Sequence, residues 1–369
     1  MSLIGQKEED ALLRVPLRLQ VSGPSTSIDL RTLPHLPAPL HLGWGLLTAR
    51  GLPLRDRWQA LLMSLKLWAN NFSLDKDLSV AALLKQHNQP TQLIEQLWEP
   101  LCLAALNTST AHASAEIFLR VLRDSFSRTR RDADLLIPRH DLGLLFPKAA
   151  FDFIEQHEGL VHLNQRVTAL RMDHDRISGV MVNDQMIAAR EVIIATSPRV
   201  SSRLLAPHPS LLHTASQIEQ LAYEPIVTVY LRYPAECRLE LPMVGKSGTL
   251  AQWLFDRRVC GQEGVIAAVI SGSGHHMDMD NQALSHHIAV ELAEHHPHWP
   301  RPLESLVIRE KRATFHCGVD VNRIRPGNAT AVDGLWLAGD YTDTGYPATL
   351  EGAVCSGVQC AQEIIARSA

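Results

Sequence analysis

One stretch near the C-terminus, residues 334–365, constrains the fold more than any other part of this 369-residue chain. It reads GLWLAGDYTDTGYPATLEGAVCSGVQCAQEII, which predicts a buried strand over residues 335–338, a polar loop over residues 339–347, and then a helix. Small residues on that helix, such as Gly352 and Ser356, would let it pack close to a sheet or a flat ligand. A strand that leads through a loop into a helix N-terminus is where α/β folds bind the negatively charged edge of a ligand.

The composition is that of an ordinary globular protein. Its residues are 46% hydrophobic and 20% charged, and the chain is long enough for a large core and two domains. A net charge of −4 gives no electrostatic reason to bind nucleic acid. The six cysteines include no Cys-x-x-Cys pair, which favours a reducing cytoplasm over a secreted, disulfide-stabilised fold.

The periodicity of apolar residues changes along the chain. Residues 33–131 have the three- and four-residue spacing of helices, and Ser79 and Ser114 are predicted to begin two of them. Between residues 160 and 198 the sequence predicts short strands, namely LVHL, RVTALRM, ISGVMV, QMIAA and a buried, parallel-type strand EVIIATSP. An antiparallel sheet is then predicted from residues 223–233, 249–255 and 265–271, followed by a helix over residues 281–295 and a return segment over residues 307–314.

These segments resemble one group of flavoenzymes. The C-terminal stretch is similar to the flavin motif of the amine oxidase and phytoene desaturase superfamily of FAD proteins. Three internal segments resemble the hydroxysqualene dehydroxylase branch, the squalene-associated FAD-dependent enzymes of hopanoid synthesis: WEPLCLAALNT (98–108), ASAEIFLRVLRDS (113–125) and DLLIPRHDLGLLFP (134–147). The likeness runs almost from Ile4 to the C-terminus.

The resemblance implies a mixed α/β (α+β) fold of the FAD-linked reductase type, with a nucleotide domain interrupted twice by a substrate domain. We expect residues 1–20, 136–205 and 316–369 to form a discontinuous FAD-binding domain. We expect residues 21–135 and 206–315 to form a substrate-binding domain of helices and an antiparallel sheet.

The glycine-rich signature of the family's ADP-binding unit does not occur in this sequence. Its nearest approach, Gly272-Ser273-Gly274, lacks the third glycine of G-x-G-x-x-G and is predicted to be a turn after a strand. We therefore expect an incomplete N-terminal Rossmann βαβ unit, as a start codon assigned too late would produce. On that expectation the protein as written purifies colourless or unstable.

The resemblance implies cofactor contacts at the end of the predicted C-terminal strand. Gly339 and Asp340 match the family positions beside the ribityl or pyrophosphate part of FAD. The alternative for Asp340 is a loop carboxylate that accepts local backbone amides. Val167 matches a valine whose backbone contacts adenine, and the alternative is a buried strand residue.

The turn Pro347-Ala348-Thr349-Leu350-Glu351 looks like the family's entry into the flavin helix. Thr349 is a suitable N-cap, and the free amides of Leu350 and Glu351 would face O2 of the flavin ring. The dipole of the helix would stabilise negative charge at N1 and O2 of the reduced flavin. An ordinary helix cap without a ligand is the alternative.

Two further regions bear on the substrate. Trp98 and Leu101 are candidates for lining a substrate pocket, although a tryptophan among leucines is more often a core residue. Residues 33–68 combine Leu, Trp and Met with arginine and lysine, a composition that suits a bilayer interface. The other interpretation is a helical cap whose apolar face covers a hydrophobic pocket. No apolar run is long enough to predict a membrane span.

The eighteen histidines suggest a metal site only weakly. His287, Glu291 and His295 share the spacing of one helix face, but neither a cysteine partner nor an orienting residue is evident, so a solvated face is favoured and no metal is predicted. The sequence contains neither a nucleophile elbow nor a Walker loop, so nothing in it supports a hydrolase or an NTPase.

The resemblance implies an FAD-dependent oxidoreductase of hopanoid and squalene biosynthesis that reduces hydroxysqualene to squalene by hydride transfer from reduced flavin. The long-chain isoprenoid would bind in the cytoplasm or at the cytoplasmic membrane surface, and no nucleic-acid partner is expected. One alternative is a carotenoid or phytoene-type desaturase or an amine-oxidase-like flavoprotein. The other is a truncated, non-catalytic chain that cannot hold FAD. The sequence assigns no general acid, electron donor or oligomeric state.

Overall fold

The structure is a computed structural model that describes residues 4–23, 27–33 and 35–368. Parts of two predicted segments lie outside these residues. They are residues 1–3 and 369 of the expected FAD-binding domain, and residues 24–26 and Pro34 of the expected substrate-binding domain.

Helices occupy most of residues 40–156 and return after residue 198. The Ser79 hydroxyl accepts the Ala82 amide and the Ser114 hydroxyl accepts the Ile117 amide, both at 3.2 Å, so both predicted helix starts are confirmed. The α-helices of the described residues are α1 (Glu8–Ala11), α2 (Leu40–Thr48), α3 (Leu54–Ala69), α4 (Val80–Gln86), α5 (Thr91–Leu93), α6 (Glu99–Leu106), α7 (Ala115–Phe126), α8 (Leu142–Leu145), α9 (Pro147–Gln156), α10 (Pro198–Leu205), α11 (Leu212–Glu219), α12 (Asn281–His295) and α13 (Leu350–Ser368). A π-helical turn, Ile94–Trp98, joins α5 to α6.

The strands form one large sheet and three small ones. They are β1 (Leu12–Val15), β2 (Arg18–Ser22), β3 (Ser27–Arg31), β4 (Leu135–Pro138), β5 (Val167–Asp173), β6 (Arg176–Val182), β7 (Gln185–Ala188), β8 (Val192–Ile194), β9 (Tyr223–Arg232), β10 (Met243–Lys246), β11 (Trp253–Asp256), β12 (Val265–Ser271), β13 (Glu304–Phe315) and β14 (Leu335–Leu337). The large sheet has the order β13-β9-β12-β11-β10-β2-β3 and is antiparallel except where β10 meets β2. The predicted antiparallel sheet is confirmed, with the 249–255 strand shortened at its start.

The strand predicted at LVHL, residues 160–163, is wrong. These residues form no strand, and Leu160 is 81% exposed. A short alternation of apolar residues becomes a strand only where a neighbouring strand can pair with it, and the pairing partners in this region, β5 to β7, begin at Val167.

The C-terminal motif folds as the sequence predicts. Strand β14 pairs in parallel with β8, with Trp336 opposite Ile193 in the register. Trp336 packs with Cys360 of α13, and both are buried. The buried parallel strand, the loop and the closing helix are therefore confirmed.

The large sheet has a different environment on each face. Alternate residues of β9, including Val227 and Val229, pack against Leu284 and Ile288 of α12. The opposite face, which includes Ile226, looks toward helices α2, α3 and α6. Because side chains alternate along a strand, the same strands build a closed core on one face and a cavity wall on the other.

The predicted domain boundaries cross elements of this fold. The boundary after residue 20 falls within β2, and the boundary after residue 135 falls within β4, which pairs with β1. Strand β2 belongs to the large sheet together with its neighbour β3. The division into two domains remains a prediction. Strands β2 and β4 each contain residues that the prediction assigns to different domains.

Candidate functional site

A cavity of about 820 Å³ lies between the large sheet and helices α2, α3 and α6. Its walls are hydrocarbon for most of their area, with Leu42 and Leu101 on the helical side and Ile226 and Val269 on the sheet side. This volume is typical of a site for a small molecule, and such walls favour an apolar one.

Trp98 and Leu101 both line this cavity, and their contact with a substrate remains a prediction. Trp98 is also a core residue: it is buried, its indole N–H donates to Gln89 Oε1 at 3.0 Å, and its ring meets the edge of Phe118. Leu101 is half-buried. The two interpretations of Trp98 are therefore compatible, because the core and the cavity share that wall.

The predicted flavin turn reaches the inner end of the same cavity, where Ala348 and Thr349 contribute to the lining. The Thr349 hydroxyl accepts the Gly352 amide at 3.1 Å, which confirms it as the N-cap of α13. Within the described residues, the amides of Leu350 and Glu351 have no hydrogen-bond acceptor, as expected for the first turn of a helix.

Close packing shapes this turn. Pro347 is buried, whereas the Leu350 and Glu351 side chains are exposed. A Cβ atom on Gly352 would lie 2.9 Å from the Pro347 carbonyl oxygen, so a larger residue would push the helix away from the turn. The free amides of the first turn therefore keep a fixed position beside the cavity.

Arg325 organises the loop between β14 and α13, and no sequence pattern predicts this role. Its buried guanidinium donates to the carbonyl oxygens of Asp340 at 3.0 Å and Tyr346 at 2.8 Å, and also to that of Thr342. Its face lies 4.8 Å from the centre of the Phe315 ring. Burial lowers the pKa of Arg325. Arg325 precedes β14 in the chain but binds the loop that follows this strand. No sequence motif marks such an arginine.

Asp340 and Gly339 lie where the sequence places them, directly after β14. Burial raises the pKa of the Asp340 carboxyl, while the Arg325 charge and the Tyr341 amide act in the opposite direction. The hydrogen bond from the Tyr341 backbone amide agrees with the alternative of an aspartate that stabilises its own loop. A contact of Asp340 with FAD remains a prediction. A Cβ atom on Gly339 would lie 2.8 Å from the Tyr341 ring, so the backbone approaches that ring closely.

Val167 begins β5 in the three-stranded sheet, and its side chain is 37% exposed. The alternative of a buried strand valine is therefore wrong at this position. A backbone contact from Val167 to adenine remains a prediction.

A second polar network lies at the inner end of the cavity, around Asn107. Asn107 ends α6 with a left-handed φ of 51°, which asparagine tolerates better than most residues. Its side-chain amide donates to the Pro225 carbonyl at 3.2 Å and to Thr314 Oγ1 at 3.0 Å, and its oxygen accepts the Gly272 amide at 2.8 Å. In the sequence, Asn107 lies in one of the segments that resemble the dehydroxylase branch, but the resemblance assigns it no role. The signal available in the sequence was the asparagine after the helical segment, because asparagine is common where a helix ends in a left-handed residue.

The histidines of α12 serve local contacts. His287 Nε2 lies 3.3 Å from Glu291 Oε1, and that carboxylate also accepts the Leu250 amide at 2.7 Å. Over residues 4–23, 27–33 and 35–368, no group of three or more His, Cys, Asp or Glu side chains is arranged to hold a metal ion.

The mouth of the cavity is built by α2 and α3, and both faces of these helices carry apolar residues. Leu42 and Leu61 face the cavity, as expected of a helical cap. Seven large apolar side chains of these two helices are exposed, and we call them the mouth surface: Leu40, Trp44, Leu54, Trp58, Leu62, Leu65 and Trp68. Of these, Leu40, Trp44, Leu65 and Trp68 also line the cavity, so the exposed surface is continuous with its rim.

The residues at the inner end suit a flavin ring. The two free amides lie at the positive end of a 19-residue helix, which favours an electron-rich acceptor edge. The apolar cavity begins beside them, because Ala348 and Thr349 of the same turn line it.

Comparison with known families identifies a flavoprotein. The family described as flavin-containing amine oxidoreductase matches residues 12–365. Curated relatives include hydroxysqualene dehydroxylase of Sinorhizobium fredii, which is 27% identical over 90% of this chain and 76% of the relative. That of Rhodopseudomonas palustris is 28% identical over 74% of this chain and 63% of the relative. The 15-cis-phytoene desaturase of Glycine max is 22% identical over 58% of this chain and 40% of that protein.

Solved structures show the same fold. An oxidoreductase from Methanosarcina mazei superposes with a TM-score of 0.68 at 16% identity, covering 85% of this chain and 73% of that one. This likeness supports the mixed α/β fold of the FAD-linked type that the sequence predicts.

Proposed function

The chain belongs to the family of flavin-containing amine oxidoreductases, and on that premise we propose that it reduces a hydroxysqualene-like C30 alcohol to the corresponding isoprenoid hydrocarbon. FAD is the cofactor of this oxidoreductase. The observation that carries the proposal is the direct connection of a large hydrocarbon cavity with the flavin turn at Ala348 and Thr349.

In the proposed reaction, the C–O bond of an allylic alcohol breaks and the hydroxyl leaves as water after taking up one proton. A hydride then forms the new C–H bond at the same carbon. Reduced FAD supplies that hydride when bound. The chain contributes two things to this chemistry: it orients the alcohol, and its apolar walls exclude the water that would otherwise recapture the allylic cation.

The residues of the inner end would hold the flavin ring. The Leu350 and Glu351 amides would donate to its N1 and O2 edge, and the α13 dipole would stabilise negative charge there. Arg325 would act indirectly, because it fixes the carbonyl groups of the loop that precedes this helix.

A desaturase of the phytoene type is the second candidate, and it would remove hydride from a polyene instead. The apolar cavity suits both substrates. The hydroxysqualene dehydroxylase relatives match a larger share of this chain than the phytoene desaturase does, which favours the alcohol.

We further propose that the mouth surface rests on an anionic lipid bilayer, from which the isoprenoid would enter the cavity. Three tryptophans and four leucines are exposed there, beside the exposed Arg50, Arg55 and Lys66. Asp56, the acidic residue within residues 33–68, is buried. Such a combination of apolar and basic groups suits the interface of an anionic membrane. The described residues include no helix long and apolar enough to pass through a bilayer.

The decisive assay supplies purified protein with FAD, a chemical reductant and hydroxysqualene, and measures squalene by mass spectrometry. We expect squalene to form, and we expect Leu101→Trp to reduce its formation because the larger ring narrows the cavity beside Trp98. The matched control is Leu303→Trp, at a leucine that is 65% exposed, and it should leave the activity unchanged.

Two results would contradict the proposal. Conversion of phytoene with no conversion of hydroxysqualene would identify the desaturase. A folded protein that binds neither FAD nor hydroxysqualene would identify the non-catalytic alternative, for which a colourless preparation is the expected sign.

A further inference from the structure

We propose that the inner end of the cavity contains a hydroxyl-binding subsite formed by Thr314 and Ser271, with Asn107 as its positioning residue. The subsite would bind the alcohol oxygen of a long isoprenoid and distinguish the alcohol from the hydrocarbon. This inference rests on the proposed function, because it assigns the group that recognises the substrate hydroxyl.

In this mostly hydrocarbon wall, the hydroxyls of Thr314 and Ser271 donate to no described group, whereas those of Ser64, Ser127 and Thr349 donate to backbone carbonyl oxygens. Thr314 and Ser271 lie on β13 and β12, the two strands that flank β9, and both line the cavity that Ala348 and Thr349 reach. Ligand sites commonly combine apolar walls with a few convergent polar groups that fix the orientation of the ligand. The two hydroxyls therefore mark the part of the wall where a polar group of the ligand would bind.

The Thr314 hydroxyl is oriented by its neighbours. Its oxygen accepts a hydrogen bond from Asn107 Nδ2 at 3.0 Å, so its own proton must point elsewhere. Among the described residues that proton has no acceptor, although Thr314 is only 9% exposed. A buried hydroxyl of this kind is stabilised when a ligand oxygen accepts its proton.

The backbone also directs Thr314 toward the cavity. The pairing of β13 with β9 shifts register between Glu310 and Thr314, as it does at a β-bulge or a similar irregularity. Bulges re-aim side chains and occur often beside active sites.

Ser271 supplies the second hydroxyl. Its backbone amide donates to Gln252 Oε1 at 2.8 Å, but its side-chain hydroxyl has no partner in the part of the chain that the structure describes. An alcohol has one oxygen that accepts and one proton that is donated. Thr314 can donate to the first and Ser271 can accept the second, so the two side chains offer the two complementary hydrogen-bonding functions that an alcohol requires.

Asn107 holds the two parts of the subsite together. All of its side-chain contacts are internal: it binds the Pro225 carbonyl, Thr314 and the amide of Gly272, the residue that follows Ser271. Asn107 is 5% exposed, and its hydrogen-bonding capacity is directed at these neighbours. Its role is therefore to fix the position and proton direction of Thr314.

The test compares the binding of hydroxysqualene and squalene, which differ by the hydroxyl. Binding is followed by tryptophan fluorescence, because Trp98 and Trp253 line the cavity, and the assay needs no turnover. We expect the unsubstituted protein to bind the alcohol about tenfold more tightly than the hydrocarbon. Thr314→Val keeps the shape and removes the hydroxyl, so it should bring this ratio close to one while leaving the affinity for squalene unchanged.

Two further variants separate hydrogen bonding from packing. Thr314→Ser retains the hydroxyl and should retain most of the preference for the alcohol. Thr168→Val alters a threonine of the three-stranded sheet and should change neither affinity.

Each outcome bears on a separate claim. If folded Thr314→Val keeps the full preference, or if Thr314→Ser loses as much as Thr314→Val, the subsite is wrong. If the unsubstituted protein binds both ligands equally, the subsite is wrong while the isoprenoid cavity stands. If it binds neither ligand, the proposed function itself fails.

Discussion

The two ends of the cavity are built on opposite physical principles. At the inner end, Arg325 and Asn107 are buried and each makes at least three hydrogen bonds to groups far away in the sequence. At the mouth, residues such as Trp58 and Leu62 project from helices into solvent with more than half of their surface exposed. One end is fixed by directional contacts, and the other offers an exposed apolar surface.

This difference separates two requirements of one site. Reaction chemistry needs groups held within a fraction of an ångström, and buried side chains with several hydrogen bonds provide that. Capture of a long, flexible hydrocarbon needs apolar area and little directional bonding. Substitutions at the inner end should therefore affect folding strongly, and substitutions at the mouth should affect association with lipid.

The largest effect is expected for Arg325→Met. The change removes the donors to the carbonyl groups of Asp340, Thr342 and Tyr346 and leaves those oxygens unsatisfied in the interior. We expect a loss of about 3 kcal/mol or more in the free energy of unfolding, measured by denaturant titration. The matched control is Arg323→Met, an exposed arginine three residues from its partner Asp320, which should cost less than about 1 kcal/mol.

An Arg325→Met protein as stable as its parent would show that the inner end is not held by this network. Arg325→Lys should recover only part of the loss, because an ammonium group cannot reproduce the planar set of donors.

An intermediate effect is expected from pH at the sheet edge beside the mouth. Hydrogen bonds from Arg18 and Arg31 hold the pKa of Asp29 well below its usual value of 3.8. A carboxyl with a lowered pKa stabilises the folded state above the pKa of the unfolded chain, and that contribution is lost as pH falls through the folded value. We expect the free energy of unfolding to decrease below about pH 4, by about 1 kcal/mol from this group after solvent screening.

Asp29→Asn tests this assignment, since the variant should be less stable at neutral pH and its stability should decline less in acid. Asp184→Asn, at an exposed residue, is the control and should follow the parent curve. Parallel curves for Asp29→Asn and the parent would show that another group causes the acid loss.

The smallest effect on stability is expected at the mouth surface. The double variant Trp58→Gln and Leu62→Gln should change the free energy of unfolding by less than about 1 kcal/mol, because both side chains are already exposed. It should nevertheless reduce flotation with phosphatidylglycerol vesicles several-fold. The control pair, Leu306→Gln and Ile308→Gln, removes exposed apolar groups from β13 and should float as the parent does. Equal flotation of both pairs would rule out the mouth surface as the lipid contact.

Local patterns predicted the elements with strong periodicity. The helix over Asn281–His295 and the strand over Val265–Ser271 have the bounds that the sequence predicts, because the Asp280 cap and the alternating β-branched residues are local signals. The LVHL strand failed because a strand depends on a partner that its own residues do not specify. The ligand contacts predicted at Val167, Asp340 and the flavin turn remain predictions.

The sequence by itself determined the flavin motif: the buried strand, the loop, the Thr349 cap and the helix that follows, because each depends on neighbours within a few residues. It also determined the family, since the motif and the internal segments are features of the sequence. Only the tertiary structure decided that Arg325 shapes the loop, that Asn107 orients Thr314, and that the flavin turn opens into a hydrocarbon cavity. Asn107 and Thr314 lie 207 residues apart, and a contact of that kind arises from the packing of a helix on a sheet, which no local pattern encodes.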